Sequence, residues 1–411
     1  MDISKFKDLI QKLSFLRNYS SLILPVIIIL VAVLLFIPTH LMSRKLKQRI
    51  ETESISIGNR VKSLSQSTVS RNQWEAEQQY QQAYERDANQ MVLLAKQSSQ
   101  RELLSYKVFP KPKDTSTLIF KEFGQLYRDG IDKLIAKANA HDCPTVTELQ
   151  KALQGSGLST ARRGGDWGET GKSDVRSEVD ATITEVLCRE KAKQASIYAN
   201  PAELSGYEFW EDYKYTGMNT AVEDCWYWQL AYWVIEDVFD TIDAMNSGTG
   251  SVLTSPAKRL MDVSFTKTAA GKGVGGKAAV KPSYVFTTKE ALTVPHTGRF
   301  CNNDIDVVHF SVAVVVNTKA VLPFMQQLCS AKQHKFRGFS GEEQEQIFKH
   351  NQITILESNI RGIDRKDAIH NLYRYGEDAV VELDLICEYM FYKSGYDEIK
   401  PESVKELLKK E

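Results

Sequence analysis

Gly271-Lys-Gly273-Val-Gly-Gly276-Lys277 is the stretch of this sequence that looks most like a place for chemistry. It fits G-x-G-x-x-G, and it fits the first seven positions of a phosphate-binding loop. Such a loop cradles phosphates with backbone N–H groups, reaches them with its lysine, and holds magnesium with a Ser or Thr hydroxyl in the next position. Ala278 stands where that hydroxyl is needed, and Pro282 and the strand-like Tyr284-Val-Phe-Thr-Thr288 follow where the phosphate-binding helix has to begin. The stretch therefore reads as a flexible connection, and no nucleotide is expected on it. The seven histidines (40, 141, 296, 309, 334, 350, 370) are scattered and form no H-E-x-x-H. His141-Asp142-Cys143 joins a base to a nucleophile only along the chain, and adjacent residues seldom face one another. The six cysteines (Cys143, Cys188, Cys225, Cys301, Cys329, Cys387) show no C-x-x-C or Cys/His zinc spacing. With no G-x-S-x-G either, nothing brings nucleophile, base and oxyanion donors together. The expectation is a protein without catalytic residues, cofactor or metal.

The stretch around which the chain is organised is Leu22–Met42, LILPVIIILVAVLLFIPTHLM, which carries no charge across 21 residues. A bilayer core takes about 20 apolar residues in a helix. The run is apolar on every face while the rest of the chain is polar, which argues against a buried soluble helix. A signal peptide would have a shorter apolar region and a small-residue cleavage site; here the run ends in Pro38-Thr-His-Leu-Met-Ser-Arg-Lys45. It reads as an uncleaved anchor. Lys and Arg flank it equally, with Lys5, Lys7, Lys12 and Arg17 before and Arg44, Lys45, Lys47 and Arg49 after, so charge does not orient it. The tail 1–21 is too short for a core of its own, which places it in the cytoplasm and residues 43–411 outside. All six cysteines follow the anchor, where disulfides are permitted.

Lys plus Arg equals Asp plus Glu at 52 each, so the chain lacks the basic footprint of a nucleic-acid binder. A hydrophobic content of 42% argues for packed domains. Within the tail, Phe6, Leu9, Ile10, Leu13 and Leu16 have helical spacing, as a lead-in turn or as an amphipathic helix on the inner leaflet. Residues 43–105 read as a helical stalk. Ile50, Ile57 and Leu64 recur every seven residues with Val61 between them, a short coiled-coil trace that makes these four the candidate interface residues. A second stretch carries Trp74, Tyr80, Tyr84, Met91, Leu94 and Leu103.

Pro110-Lys-Pro112 ends the stalk. An α-helical subdomain, 106–215, follows, with an amphipathic helix over 115–139 and a capping box at Thr145-x-x-Glu148. The Gly-rich loop 155–173 leads to a helix over 174–199, for which Ser173 is the candidate cap. Residues 222–246 form a helix that is apolar over most of its surface, as a helix packed on two sides would be. Two alternating strands follow. Met261, Val263 and Phe265 line one face of the first; Val308, Phe310, Val312, Val314 and Val316 line one face of the second. A helix over 319–331 and strands over 353–360 and 381–391 complete the pattern, the last with Leu383, Leu385, Cys387, Tyr389 and Phe391 inward. The order is a tandem αββ over 216–395, which implies one antiparallel sheet with helices on one face and an α+β class overall. Residues 396–411 read as a polar C-terminal tail. The long last strand is also a candidate edge for pairing with another chain.

This order resembles that of the pilus-assembly protein PilO and the M protein of type II secretion. The resemblance covers residues 1–105 and about 220–395, and helical subdomain 106–215 has no counterpart in PilO. Locally the chain is similar to a group of bacterial membrane-anchored proteins through Trp226-Tyr-Trp-Gln229, Glu236-Asp237-Val238, Thr297-Gly298-Arg299, Tyr375-Gly376 and Pro401-Glu-Ser-Val404. The resemblance implies a bitopic inner-membrane protein with a short cytoplasmic tail, a periplasmic coiled coil and a circularly permuted ferredoxin-like domain. The implied function is that of a non-enzymatic scaffold of a pilus or secretion machine. Its implied partners are a second copy or a sibling bitopic protein, together with inner-membrane components of the machine. The alternative is a membrane-tethered periplasmic binding or sensing module that uses the aromatic helix 222–246 as a pocket.

Overall fold

The computed structural model describes residues 20–66, 70–114, 116–155, 172–267 and 280–408. Most of the tail 1–21, the body of the Gly-rich loop 155–173 and the Gly271–Lys277 stretch lie outside the described residues. The chain divides into two units, 1–87 and 88–411.

The first unit is helical. Helix Ser20–Arg49 contains Leu22–Met42, and among the described residues one helix is long and apolar enough to cross a membrane. Pro38 sits inside it without ending it. The Thr39 hydroxyl donates to the carbonyls of Leu35 and Phe36 at 2.5 and 3.1 Å, so its polar group is satisfied within the apolar helix. A π-helical turn, Ile50–Ile55, follows, and then helix Ser56–Gln66. The hydroxyls of Thr52 and Ser56 each donate back to a carbonyl four residues earlier, a competition with the backbone ladder that favours such a widened turn.

In the second unit a single core joins what the sequence divides in two. The sheet order is β1 (Ala140–His141), β2 (Ile197–Tyr198), β3 (Ala257–Ser264), β4 (Ile305–Asn317), β8 (Val380–Tyr392), β7 (Ile353–Gly362). The β1–β2 and β2–β3 pairs are parallel, and the pairs from β3 to β7 are antiparallel. β5 (Lys332–Phe336) and β6 (Gln346–His350) form a separate hairpin. β4 and β8 pair over their full thirteen residues. Val308 to Val316 and Leu383 to Phe391, taken at alternate positions, are wholly buried, as their alternation predicts.

Helix Met218–Asn246 lies on that face and is packed on two sides. Trwo of its rings mark the two sides: Trp233 meets Phe391 of β8 at 6.0 Å, and Trp228 meets Tyr127 of helix Leu118–Lys137 at 6.1 Å. Gly130 permits the second contact, because a Cβ there would run into the Tyr232 ring.

Several expectations need correction. The segment 106–215 is no separate subdomain, since Phe120, Phe123, Tyr127 and Ile131 share the core of the sheet and β1 and β2 extend that sheet. The helix over 174–199 ends at Gln194, and β2 follows it. Met261 does not share a face with Val263 and Phe265. A bulge between Leu260 and Asp262 puts Leu260 in the main core and Met261 against the smaller cluster on the opposite face. The helix over 319–331 is a 3₁₀ turn followed by Val321–Leu328. It stops where the buried Lys332 ammonium donates to the carbonyls of Gln327, Leu328 and Ser330. The last strand is not an edge, because β8 lies between β4 and β7. The expected polar tail 396–411 is not free over its described residues 396–408, since Tyr396, Ile399 and Val404 are buried in the core and helix Glu402–Leu408 follows Pro401.

Candidate functional site

The four sequence-derived interface residues are all exposed: Ile50 by 48%, Ile57 by 57%, Val61 by 59% and Leu64 by 60%. Ile57, Val61 and Leu64 share one helix at spacings of four and three and form one stripe. Ile50 does not continue it. The π turn, closed by a bond from the Ser56 N–H to the Glu51 carbonyl, inserts one extra residue, worth about 100° of rotation.

The most highly organised polar group in the chain lies where the stalk helix Arg71–Ser98 ends in the second unit. Residues 99–105 leave the helix as a strap bound from three directions. From β6 to β8, Gln352 donates to the Ser98 and Ser99 hydroxyls at 3.2 and 2.7 Å, and the Tyr392 N–H donates to the Ser99 hydroxyl at 2.8 Å. From the hairpin, the Lys335 carbonyl accepts from the Glu102 N–H at 3.0 Å. From the long helix, Gln229 accepts from the Leu104 N–H at 2.8 Å, and the Trp233 indole donates to the Glu102 carbonyl at 2.9 Å.

Arg101 is at the centre of the strap and is 2% exposed. Its guanidinium forks onto Asp237 with two bonds of 3.0 Å, donates to Glu236 at 2.6 Å, and reaches the Tyr389 hydroxyl at 2.6 Å. Tyr389 in turn donates to Asp237 at 2.8 Å. His350 lies 3.3 Å from Asp237, and the His334 ring packs 5.0 Å from that of His350 at a tilt of 55°. Burial alone would push the Asp237 carboxyl up, but the Arg101 charge and the hydrogen bonds from Arg101 and the His350 ring hold it well below the usual carboxylate range. Burial also lowers His334 to about 3, with Arg101 adding to the shift, so the ring is neutral near pH 7. A neutral His334 with its proton on Nε2 caps the stalk helix, donating toward the Gln97 and Gln100 carbonyls at 3.3 and 3.1 Å. Glu236 closes the outer side, with a third of its side chain in solvent.

Sequence reasoning missed this junction. The available signal was a pair of adjacent carboxylates, Glu236-Asp237, within 225–239, a run with no other charged residue, where burial demands a cation from elsewhere. The other stretches quoted for the resemblance are also fastenings. Trp226 donates to Tyr284 at 3.0 Å. Thr297 donates to the wholly buried Glu388 at 2.8 Å, and Arg299 pairs with it at 3.2 Å. Tyr375 meets His370 at 2.9 Å, and Val404 is buried. Each pins a connecting segment to the core.

The nucleophile pairing suggested by His141-Asp142-Cys143 does not form. Asp142 accepts from Tyr373 and Asn200 at 2.9 and 2.8 Å, and burial pushes the Cys143 thiol up to about 11, where it is a poor nucleophile. All six cysteines are free thiols. Among the described residues no group of three or more His, Cys, Asp or Glu is placed to hold a metal.

No known protein-family profile matches the chain, and no curated protein matches it. Among solved structures, a crystal structure from Akkermansia muciniphila matches at 8% identity, covering 66% of this chain and 96% of that one, with a TM-score of 0.23. A superposition that loose relates neither fold nor function.

Proposed function

We propose that this protein is a non-catalytic, membrane-anchored scaffold of an envelope-spanning assembly of the type IV pilus or type II secretion kind. In this reading the anchor crosses the inner membrane once, with the tail in the cytoplasm and residues 43–411 in the periplasm. The stalk pairs with a second copy or with a sibling bitopic protein. The observation that carries the reading is the junction at Arg101. A tether that only held a domain near the membrane would need a loose linker, whereas here the stalk end enters the head through a buried ion cluster and a strap bonded on three sides. Displacement of the stalk end is then delivered to the sheet. The strand order β3-β4-β8-β7, all antiparallel and with a helix before each strand pair, supports a permuted ferredoxin-like domain interrupted by the β5–β6 hairpin.

The test is purification from native membranes after crosslinking, followed by identification of the captured proteins. Other inner-membrane subunits of a pilus or secretion machine are the expected result. Recovery of the protein alone, as a monomer, would overturn the proposal.

A further inference from the structure

Residues 207–215 hold five aromatic side chains (Tyr207, Phe209, Trp210, Tyr213, Tyr215) among Glu208, Glu211 and Asp212. Trp210 is buried and packs its ring 5.3 Å from Phe123, 5.1 Å from Phe209 and 4.7 Å from Tyr213. Phe209 and Tyr213 also line a cavity of about 590 Å³, together with Glu208, Asp212, Lys214 and Asp224, and Thr216 completes its rim. Asp224 is already committed, paired with Lys281 at 2.7 Å. Glu208 and Asp212 are exposed, and neither carboxylate has an ion pair or a side-chain hydrogen bond among the described residues. The Tyr213 hydroxyl is buried with no protein partner.

Aromatic faces beside uncommitted carboxylates suit a cation on an apolar stem. The rings attract the charge through their quadrupole, and the carboxylates pair with it. We propose that this cavity receives an arginine or lysine side chain presented by a partner protein. Glu208, Asp212, Lys214 and Thr216 are all exposed, so a ligand here is not enclosed and has to be held by contacts beyond the cavity. With Asp224 neutralised by Lys281, the two carboxylates of Glu208 and Asp212 still outnumber Lys214 in the lining, which matches a basic segment in charge. The proposal takes from the scaffold reading only that the ligand belongs to a protein.

The test titrates the full-length protein in detergent with two peptides, acetyl-Gly-Arg-Gly-amide and acetyl-Gly-Gln-Gly-amide, and follows tryptophan fluorescence and binding heat at low salt. The arginine peptide should bind saturably and about tenfold more tightly than the glutamine peptide. Glu208→Gln with Asp212→Asn should weaken it roughly fivefold, as expected for exposed ion pairs. Lys214→Glu, which removes the competing charge, should tighten it about threefold. Equal binding of the two peptides, no saturable binding, or Glu208/Asp212 and Lys214 variants that bind like the parent would overturn the proposal. Capture of machine subunits by membrane crosslinking is read separately, so this site can fail while the scaffold reading stands.

Discussion

The helices Arg71–Ser98 and Met218–Asn246 are nearly equal in length, at 28 and 29 residues, and opposite in surroundings. Along the first, Trp74, Tyr80, Tyr84 and the run Met91–Leu94 are exposed, and Arg71–Glu75 is its one i,i+4 ion pair among the described residues. Along the second, Trp226, Trp228 and Trp233 are buried, and several of its buried polar groups are bonded, while the Trp228 indole N–H and the Gln229 amide N–H have no protein partner. Asp237 meets Arg101, Thr241 donates to the Asp237 carbonyl at 2.8 Å, and Asn246 donates to the carbonyls of Ser196 and Ala257 at 3.1 and 3.0 Å. Helices in water draw most of their stability from packing an apolar face. The second helix has that packing within its own chain. The first displays apolar side chains that its own chain leaves uncovered, and that is the physical case for a partner along the stalk. A sheet-edge partner has less support. The edge strand β7 carries a bulge between Ile355 and Glu357 and the charges of Glu357 and Arg361, which are devices that discourage strand pairing.

If the head is complete by itself, damage to its interior should be the most severe. Leu383→Asp puts a carboxylate on the wholly buried face of β8, between β4 and β7. The cavity and the unpaired charge together cost several kcal/mol, a large share of a typical 5–15 kcal/mol. Val312→Asp on β4 should behave alike. Circular dichroism should show loss of the cooperative melt, and a melt close to that of the parent would show that these strand faces are wrongly assigned.

Breaking the junction should cost less than breaking the core. Arg101→Met removes the cation and leaves Asp237 buried without its main partner, an effect of about 3–5 kcal/mol. The double variant Arg101→Met with Asp237→Leu should recover much of that loss, because the uncompensated charge is gone. Limited proteolysis around residues 99–105 distinguishes a loosened strap from a general loss of stability. Equal melting of the single variant and the parent would remove the junction from the account.

The parts that were legible in the sequence are those where one rule acts alone. β4 and β8 alternate without interruption, and Thr145-x-x-Glu148 forms its capping box, with Thr145 N–H to Glu148 at 2.9 Å and Glu148 N–H to the Thr145 hydroxyl at 3.2 Å. Competing effects hid the rest. The inward residues of β5 are Lys332, His334 and Phe336, so its alternation reads as polar. Met261 is displaced by a bulge that nothing in its neighbours announces. The junction joins residues 136 positions apart, beyond the reach of any local pattern. The Gly-rich loop attracted attention for its composition, yet the described organisation lies in the fastening of strap, loops and C-terminal segment.

Acid should weaken the head by a smaller amount than either substitution. Burial lowers His334 to about 3 and His309 to about 4, below the usual 6.5. The unfolded chain then binds more protons between about pH 6.5 and pH 4, so stability is complete above that window and falls as pH drops through it. His334 alone accounts for at most about 3 kcal/mol at pH 4. Glu203, raised to about 7 by burial against the pull of Arg259, works in the opposite direction over the upper part of the window. The comparison that isolates the histidine is therefore between the parent and His334→Gln, whose amide can still donate to the helix-end carbonyls. The variant should melt with a flatter pH dependence between 6.5 and 4. Equal slopes would mean that His334 is already accessible to protons in the folded head.

The smallest effect on stability is expected on the stalk, where it tells most about function. Ile57, Val61 and Leu64 form one exposed stripe, and Ile50 is rotated away from it by the π turn. Replacing Ile57 and Leu64 by Ser changes exposed surface outside the second unit, so the melting of the head should change by less than about 0.5 kcal/mol. Pairing in the membrane should respond differently. Single cysteines at 57, 61 and 64 should crosslink between copies or to a sibling protein, and one at 60 should not. A cysteine at 50 decides between two geometries. If the π turn persists in the assembled stalk, 50 should crosslink as poorly as 60; if pairing straightens the turn into α-helix, 50 should rejoin the stripe, since seven residues then return it to nearly the same face. Equal crosslinking at all five positions, or none at any, would take this stripe out of the interface and leave Tyr80, Tyr84 and Met91–Leu94 as the apolar surface of the stalk still to be covered.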